Sequence, residues 1–488
     1  MNASDLGVPA VIRFVAGPPD LGAPRSRREW LRLGGLAGLV GLTRPADAAP
    51  PGRGSRDRPR WFGRAKTVLL VYANGGQSQL ETWDPKPDAP LEIRGEFGSI
   101  PTSVPGVRFG EHLPRIARLA DRLTVLRSVS HNDLDHGSAT YLALTGRYHP
   151  QKSGNPPPAP TDYPTLGALL NRVRPSARSP YTAVHVNGPA LVPELPGPGQ
   201  DGGFLGREYE PLLVGDVTLG PASLPNLSPP PELPPVRIEA RRSLLNTLDA
   251  YRARLEGDVR MRDLDGLYRQ AYALLDSPRA RAAFDLNAEP ARVRDRYGRH
   301  RSGQACLLAR RLAEAEVPLV TVFWNHSARG QDKYPDDVDS FGWDTHNDIF
   351  AVYRNHLLPR FDQSFSALLE DLDGRGLLDQ TLVIGMGEFG RAPRVAAEAR
   401  FAGALPGRKH WANVYSIAVA GAGVTRGAVL GESDRLAAYP VSNRVGPWDV
   451  AATILAALGI DPSGETTDSL GRPFPLTIGM PVAGLFQG

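Results

Sequence analysis

The chain has 488 residues, of which 41% are hydrophobic, enough apolar surface for a large core and too much for a disordered protein. Its formal charge of +4 falls to +2 once residues 1–48, with six arginines against four acids, are set aside; no Lys/Arg stripe interleaved with aromatics remains, so nucleic acid is not an expected partner. The single cysteine, Cys306, excludes a disulfide framework and any multi-cysteine metal site, and its setting in Gln304-Ala305-Cys306-Leu307-Leu308 is that of a buried helical position.

The N-terminus reads as an address. Ser26-Arg27-Arg28-Glu29-Trp30-Leu31 precedes an apolar run from Leu33 to Leu42 and then Ala46-Asp47-Ala48. Twin arginine, short h-region and A-x-A site together predict a Tat-type signal peptide over 1–48, hence export to the periplasm or cell surface. The apolar run is too short and too glycine-rich for an integral membrane span. Residues 49–65 read as a flexible basic lead-in, 66–475 as a single domain, and 476–488 as a C-terminal tail.

The first strand is expected at Lys66–Tyr72, ending in Asn74-Gly75-Gly76, where glycine permits close backbone approach to a ligand. A helix-like stretch from His112 to Arg122 leads to a strand at Leu123–Val129. Next comes Ser130-His131-Asn132-Asp133-Leu134-Asp135-His136-Gly137-Ser138, two imidazoles and two carboxylates within six residues. A helix is expected at Thr165–Val173 and a strand at Thr182–Asn187. With 52 glycines and 47 prolines in the chain, long irregular connections are expected, above all a covering insertion over 189–275 that is Pro/Gly-rich to Pro235 and helical from Ile238. A helix from Gly303 to Ala315 then feeds a strand at Val317–Trp324. The loop holding Asp332, Asp336, Asp337 and Asp339 reads as solvent-facing.

The richest stretch is Phe341–Trp411. Gly342-Trp343-Asp344-Thr345-His346 is followed by an apolar stripe through Phe350, Tyr353, Leu357, Phe361, Phe365, Leu368 and Leu372, spaced for one helix face. Gly374 and Gly376 break it before a buried strand, Thr381–Met386. Off that strand come Gly387-Glu388-Phe389-Gly390-Arg391 and then Gly407-Arg408-Lys409-His410-Trp411. A strand at Val414–Ala420 and a helix at Asp449–Leu458 complete the pattern. Strands alternating with helices predict an α/β fold, a mostly parallel sheet with helices on both faces. Ligands of such sheets bind beyond the carboxyl ends of the strands, where Asp344, His346, Glu388, Arg391 and His410 gather. Carboxylates and neutral imidazoles are the usual ligands of divalent ions, and an arginine offers a planar fork to an anionic oxygen.

The Gly342–His346, Gly387–Arg391 and Gly407–Trp411 motifs, with Ala283-Phe284-Asp285-Leu286, Arg294-Asp295-Arg296-Tyr297-Gly298 and Ala309-Arg310-Arg311-Leu312, resemble an exported sulfatase-like family known only as a domain of unknown function. That resemblance implies an alkaline phosphatase/sulfatase-like fold, a divalent metal (Zn, Mn, Fe or Ca) and an anionic ester substrate. It puts Asp344, His346, Glu388 and His410 at metal positions, with Asn74 nearest to an early metal carboxylate that has no clean match. Phe389 stands where an imidazole is usual. Leu144-Thr145-Gly146-Arg147 resembles the tail of the sulfatase motif, which places His136 where a sulfatase has its Cys or Ser and disfavours a formylglycine mechanism. His136 is then a metal ligand, a base or a nucleophile, with Ser138 the fallback nucleophile, His131 close by, and Arg391 steadying the anion. The implied function is a metal-dependent phosphate or sulfate ester hydrolase; the alternative is a catalytically degenerate exported binding or scaffold protein. Oligomeric state is left open.

Overall fold

Thr67–Tyr72 form β1, six buried residues whose side chains alternate between two cores. Leu69 and Val71 join one apolar cluster with Leu308 and Leu368; Val68, Leu70 and Tyr72 join another with Leu144, Leu169 and Leu455. A central strand covered on both faces needs this apolar character at every position. The computed structural model describes residues 58–219, 277–468 and 470–486. The signal-like segment 1–48, the lead-in as far as residue 57, and residues 220–276 with the helical pattern from Ile238 lie outside the described residues.

The central sheet of the described residues comprises β1, β2 (Leu123–Val129), β3 (Ala183–Val186), β4 (Leu212–Val214), β5 (Leu319–Phe323), β6 (Thr381–Met386), β7 (Tyr415–Ala420) and β8 (Ala428–Leu430). Its spatial order is β8-β2-β7-β6-β1-β5-β3-β4. Pairings are parallel except the two that flank β7, which runs antiparallel to β2 and β6. Helices α1 (His136–Thr145), α2 (Leu166–Val173) and α5 (Pro447–Ala457) cover one face; α3 (Arg301–Glu314) and α4 (Leu358–Gly374) cover the other. The expected α/β architecture with a mostly parallel sheet is therefore the one present.

Several local expectations differ from what forms. The stretch His112–Arg122 is not one helix but a short turn of helix, Pro114–Ala117, and a 3-10 turn, Ala120–Arg122. The apolar stripe from Phe350 runs through Ile349–Val352, a π-helical turn at Tyr353–Leu357, and α4, which continues through Gly374. Pro359, lacking an N–H to return toward Asn355, sits just past that widened turn. Within the expected covering insertion, Leu212–Val214 add the outer strand β4 to the sheet. Near the two ends of the described residues, Trp61 and Phe486 are buried against each other, rings stacked at 4.4 Å. Among the described residues no helix is long and apolar enough to cross a membrane.

Candidate metal centre

One edge of the sheet gathers the polar residues. β1 delivers Asn74-Gly75-Gly76, β2 the loop from His131 to His136, β5 the loop that returns through Asp344, and β6 the Glu388–Arg391 segment. Because β7 is antiparallel, its beginning lies at this same edge, which is why His410 just ahead of it arrives there. His410–Trp411 pair with Gly390–Arg391 as a two-residue ribbon. Gly75 makes the approach possible: at φ 111° an added Cβ would stand 2.4 Å from the Ala328 carbonyl oxygen and 2.5 Å from the Asp344 nitrogen.

Asp344 is the hub. Its Oδ1 lies 2.8 Å from Arg391 Nη2, 2.9 Å from His346 Nε2 and 3.1 Å from His410 Nε2; its Oδ2 lies 3.1 Å from His136 Nε2. Burial opposes ionisation of this carboxyl, but the His136 and Arg391 charges outweigh it and hold it well below the usual carboxylate range. One ligand atom each from His136, Asp344 and His410 lies within 4.8 Å of the others. That set of two imidazoles and a carboxylate matches what borderline divalent ions take.

Hydrogen-bond roles test whether a cation fits. The Leu134 carbonyl lies 2.6 Å from His410 Nδ1 and can only accept, so Nδ1 carries the proton. Burial and the neighbouring His136 charge push His410 down to about 4, so the ring is neutral and its Nε2 is a bare lone pair. That lone pair faces the Asp344 Oδ1 lone pairs at 3.1 Å, an arrangement that a cation between them relieves. On the other side, His136 Nδ1 lies 2.6 Å from Glu388 Oε1, the carboxylate–imidazole arrangement that aims Nε2 at a metal. His346 Nε2 lies 3.0 Å from His410 Nε2. If it donates to Asp344, its buried Nδ1 has no hydrogen-bond partner; with the proton on Nδ1 it faces Glu398 Oε2 at 3.8 Å and Nε2 joins the lone pairs. The donor set fits a divalent ion.

The other sequence candidates occupy specific places. Both Glu388 oxygens are taken: Oε1 also accepts from Gly75 N–H at 2.9 Å, and Oε2 from the Tyr72 hydroxyl at 3.0 Å. Its carbonyl accepts from His131 Nε2 at 2.6 Å, because His131 Nδ1 accepts the Asp133 N–H; burial pushes His131 down to about 4. Arg391 is fully buried and spends its guanidinium on Asp344 and on the Gly75 and Gly76 carbonyls. The Ser138 hydroxyl donates to Asp133 at 2.7 Å and accepts from the Gly154 N–H at 3.2 Å. Asn74 donates through Nδ2 to the Leu191 and His326 carbonyls, leaving Oδ1 buried without a partner. Phe389 packs against the rings of His136 and His410, centroids 4.9 and 4.7 Å away. Cys306 is buried in α3, its thiol pushed up to about 12 by burial.

Sequence reasoning passed over Tyr72, Leu134, Glu398 and Phe401. Tyr72 carried a signal, a polar tip on the last residue of a buried strand; the Leu134 carbonyl carried none. Phe401 stacks on His346 with centroids 3.7 Å apart and rings 4° from parallel.

A family model described as "Protein of unknown function (DUF1501)" matches residues 65–486. No curated protein matches the sequence. Among solved structures, the chain is similar to Ps i-CgsB, at 14% identity and TM-score 0.40, over 81% of this chain and 72% of that one. It is also similar to the lipoteichoic acid synthase LtaP from Listeria monocytogenes, at 12% identity and TM-score 0.35, over 87% and 79%. A third is the phosphonate monoester hydrolase SpPMH from Silicibacter pomeroyi, at 12% identity and TM-score 0.35, over 81% and 73%.

Proposed function

We propose that this chain, which belongs to the DUF1501 family, is an exported hydrolase of phosphate or sulfate esters that holds a divalent metal ion at Asp344. The observation that carries the reading is the convergence of the His136 and His410 Nε2 atoms on Asp344, with each outer Nδ1 bound to an acceptor. When bound, a divalent ion supplies positive charge that polarises an ester oxygen and lowers the pKa of water.

The chain's own residues do the rest. His136, Asp344 and His410 hold the ion, with His346 beside them as a further donor. Arg391 fixes the Asp344 carboxylate through Oδ1. Glu388, pinned by Tyr72 and Gly75, accepts a hydrogen bond from the His136 Nδ1–H and so orients the ring. Phe389 shields two of the imidazoles from water on one side. Ser138 is committed to Asp133 and both His136 nitrogens face carboxylates, so water is the attacking group in this reading. Cys306, deep in α3, gives no formylglycine position.

A specific observation favours the second reading, a catalytically degenerate exported binding protein: among the described residues the hydrogen-bond and ion-pair partners of the Asp344 carboxylate are imidazoles and guanidinia, with no hydroxyl or thiol. Calorimetric titration of chelator-treated protein with zinc and manganese, followed by phosphatase and sulfatase assays, tests both. Binding with turnover supports the hydrolase; binding without turnover on either ester class selects the second reading. The Tat-type signal is tested separately: Arg27→Lys with Arg28→Lys should retain the protein in the cytoplasm, and unchanged export would exclude that route.

A further inference from the structure

Arg391, the arginine on which the sequence draws attention, cannot meet a ligand: its side chain is 0% exposed and its donors go to Asp344 and main-chain carbonyls. A different guanidinium reaches the surface beside Asp344. Arg329 Nε lies 4.0 Å from Asp344 Oδ2, on the carboxylate edge away from Arg391, and its side chain is 17% exposed. Nη2 pairs with Asp332, and the guanidinium lies over the Phe401 ring, 5.0 Å from the centroid. Phe401 in turn is stacked on His346, so ring, imidazole and guanidinium make one wall beside the cluster.

The backbone holds Arg329 in place from both sides. The Ala328 carbonyl accepts the Asp344 N–H at 2.9 Å, and an added Cβ on Gly342 would stand 1.9 Å from that oxygen. One residue beyond Arg329, an added Cβ on Gly330 would stand 2.3 Å from the Ser340 oxygen. Two glycine-tight crossings therefore bracket one arginine, fixing its stem before any ligand arrives. Asp332 and Phe401 restrict the fork itself, which removes much of the rotamer entropy that binding otherwise costs. Nη1 has no acceptor among the described residues.

We propose that Arg329 recognises the anion: a tetrahedral oxyanion, phosphate or sulfate, enters beside Asp344 and is held by the Nη1 end of this guanidinium, which Asp332 anchors through Nη2. The inference rests on the reading of the site as one for phosphate or sulfate esters and names the residue that selects for them. A charge-assisted donor held in place on a planar guanidinium before the anion arrives is what arginine offers over a lysine on its flexible stem.

The test titrates inorganic phosphate and inorganic sulfate into the purified full chain and measures metal in the same samples. Arg329→Gln should weaken oxyanion binding by roughly tenfold or more while metal per chain stays unchanged. Arg329→Lys, which keeps the charge but loses the planar guanidinium anchored by Asp332, should fall between the two. Lys333→Gln, in the same loop but paired with Glu194 2.8 Å away, should bind as the unaltered protein does. Should Arg329→Gln fail to fold, Arg329→Lys carries the comparison. Equal binding by the Arg329 variants and the unaltered chain overturns the inference and leaves the metal reading standing. An unaltered chain that binds neither anion also overturns it. Arg329-dependent binding in a chain that takes no metal keeps the inference and removes the metal hydrolase.

Discussion

His136 and Glu388 are joined by a 2.6 Å contact between Nδ1 and Oε1, and the partners of Glu388 decide what that contact means. With Gly75 and Tyr72 also donating to its two oxygens, Glu388 would act on a bound ion through the imidazole. Glu388→Gln, close in shape but uncharged, should therefore lower metal affinity by about 10–100-fold without abolishing it. Competition with a chelator measures this. An unchanged affinity would show that Glu388 does not orient His136.

Arg391 balances the buried Asp344 charge at 2.8 Å. Arg391→Leu leaves that carboxylate with only the His136 charge in close contact, and the expected loss is about 3–5 kcal/mol. Urea unfolding reads it; a loss within 1 kcal/mol would mean that the histidines alone carry the charge.

The tight crossing at Gly342 gives a steric prediction. Gly342→Ala forces a Cβ onto the Ala328 carbonyl and should cost about 1–3 kcal/mol or more, because backbone must move. Gly374→Ala, at the open end of α4 with nothing within 4 Å of the new Cβ, should be neutral or slightly stabilising. Equal thermal midpoints for the two variants would refute the crossing.

In the metal-free protein burial opposes the His136 charge, but Asp344 and Glu388 outweigh it and raise the group to about 9. The ring is charged at pH 7 and must lose a proton to ligate, so uptake should release about one proton per ion there and tighten up to about pH 9. The stability linkage follows the same shifts. The contribution of His136 is full below its ordinary 6.5 and is lost as pH rises through about 9. His131 and His410, pushed by burial to about 4, contribute above 6.5 and lose it as pH falls through 4. Chelator-treated protein should therefore have its highest urea midpoint near pH 6.5, below which and above which it falls. A midpoint that climbs steadily to pH 9 would contradict these assignments.

Much of the fold was legible because buried strands and amphipathic helices announce themselves. Leu123–Val129 and Thr381–Met386 form over the expected residues, and a three-residue motif such as Asp344-Thr345-His346 marks a polar loop whatever its partners. What lay beyond reach depends on contacts far apart in the chain. The antiparallel sense of β7 follows from its neighbours β2 and β6, not from its own six apolar residues. Which of Arg391 and Arg329 keeps a free donor depends on their partners, and the carbonyls of Gly75 and Gly76 take those of Arg391. Asp332 sits among acids that read as solvated, yet its side chain is turned in against Arg329.

The central claim is that Asp344, His136 and His410 hold one divalent ion. Elemental analysis of the protein, purified without added metal beside His410→Ala, tests it most directly. The account predicts about one equivalent of a divalent metal per chain and a sharp fall in the variant. No metal in either protein, with none taken up when zinc, manganese or iron is added, would contradict it.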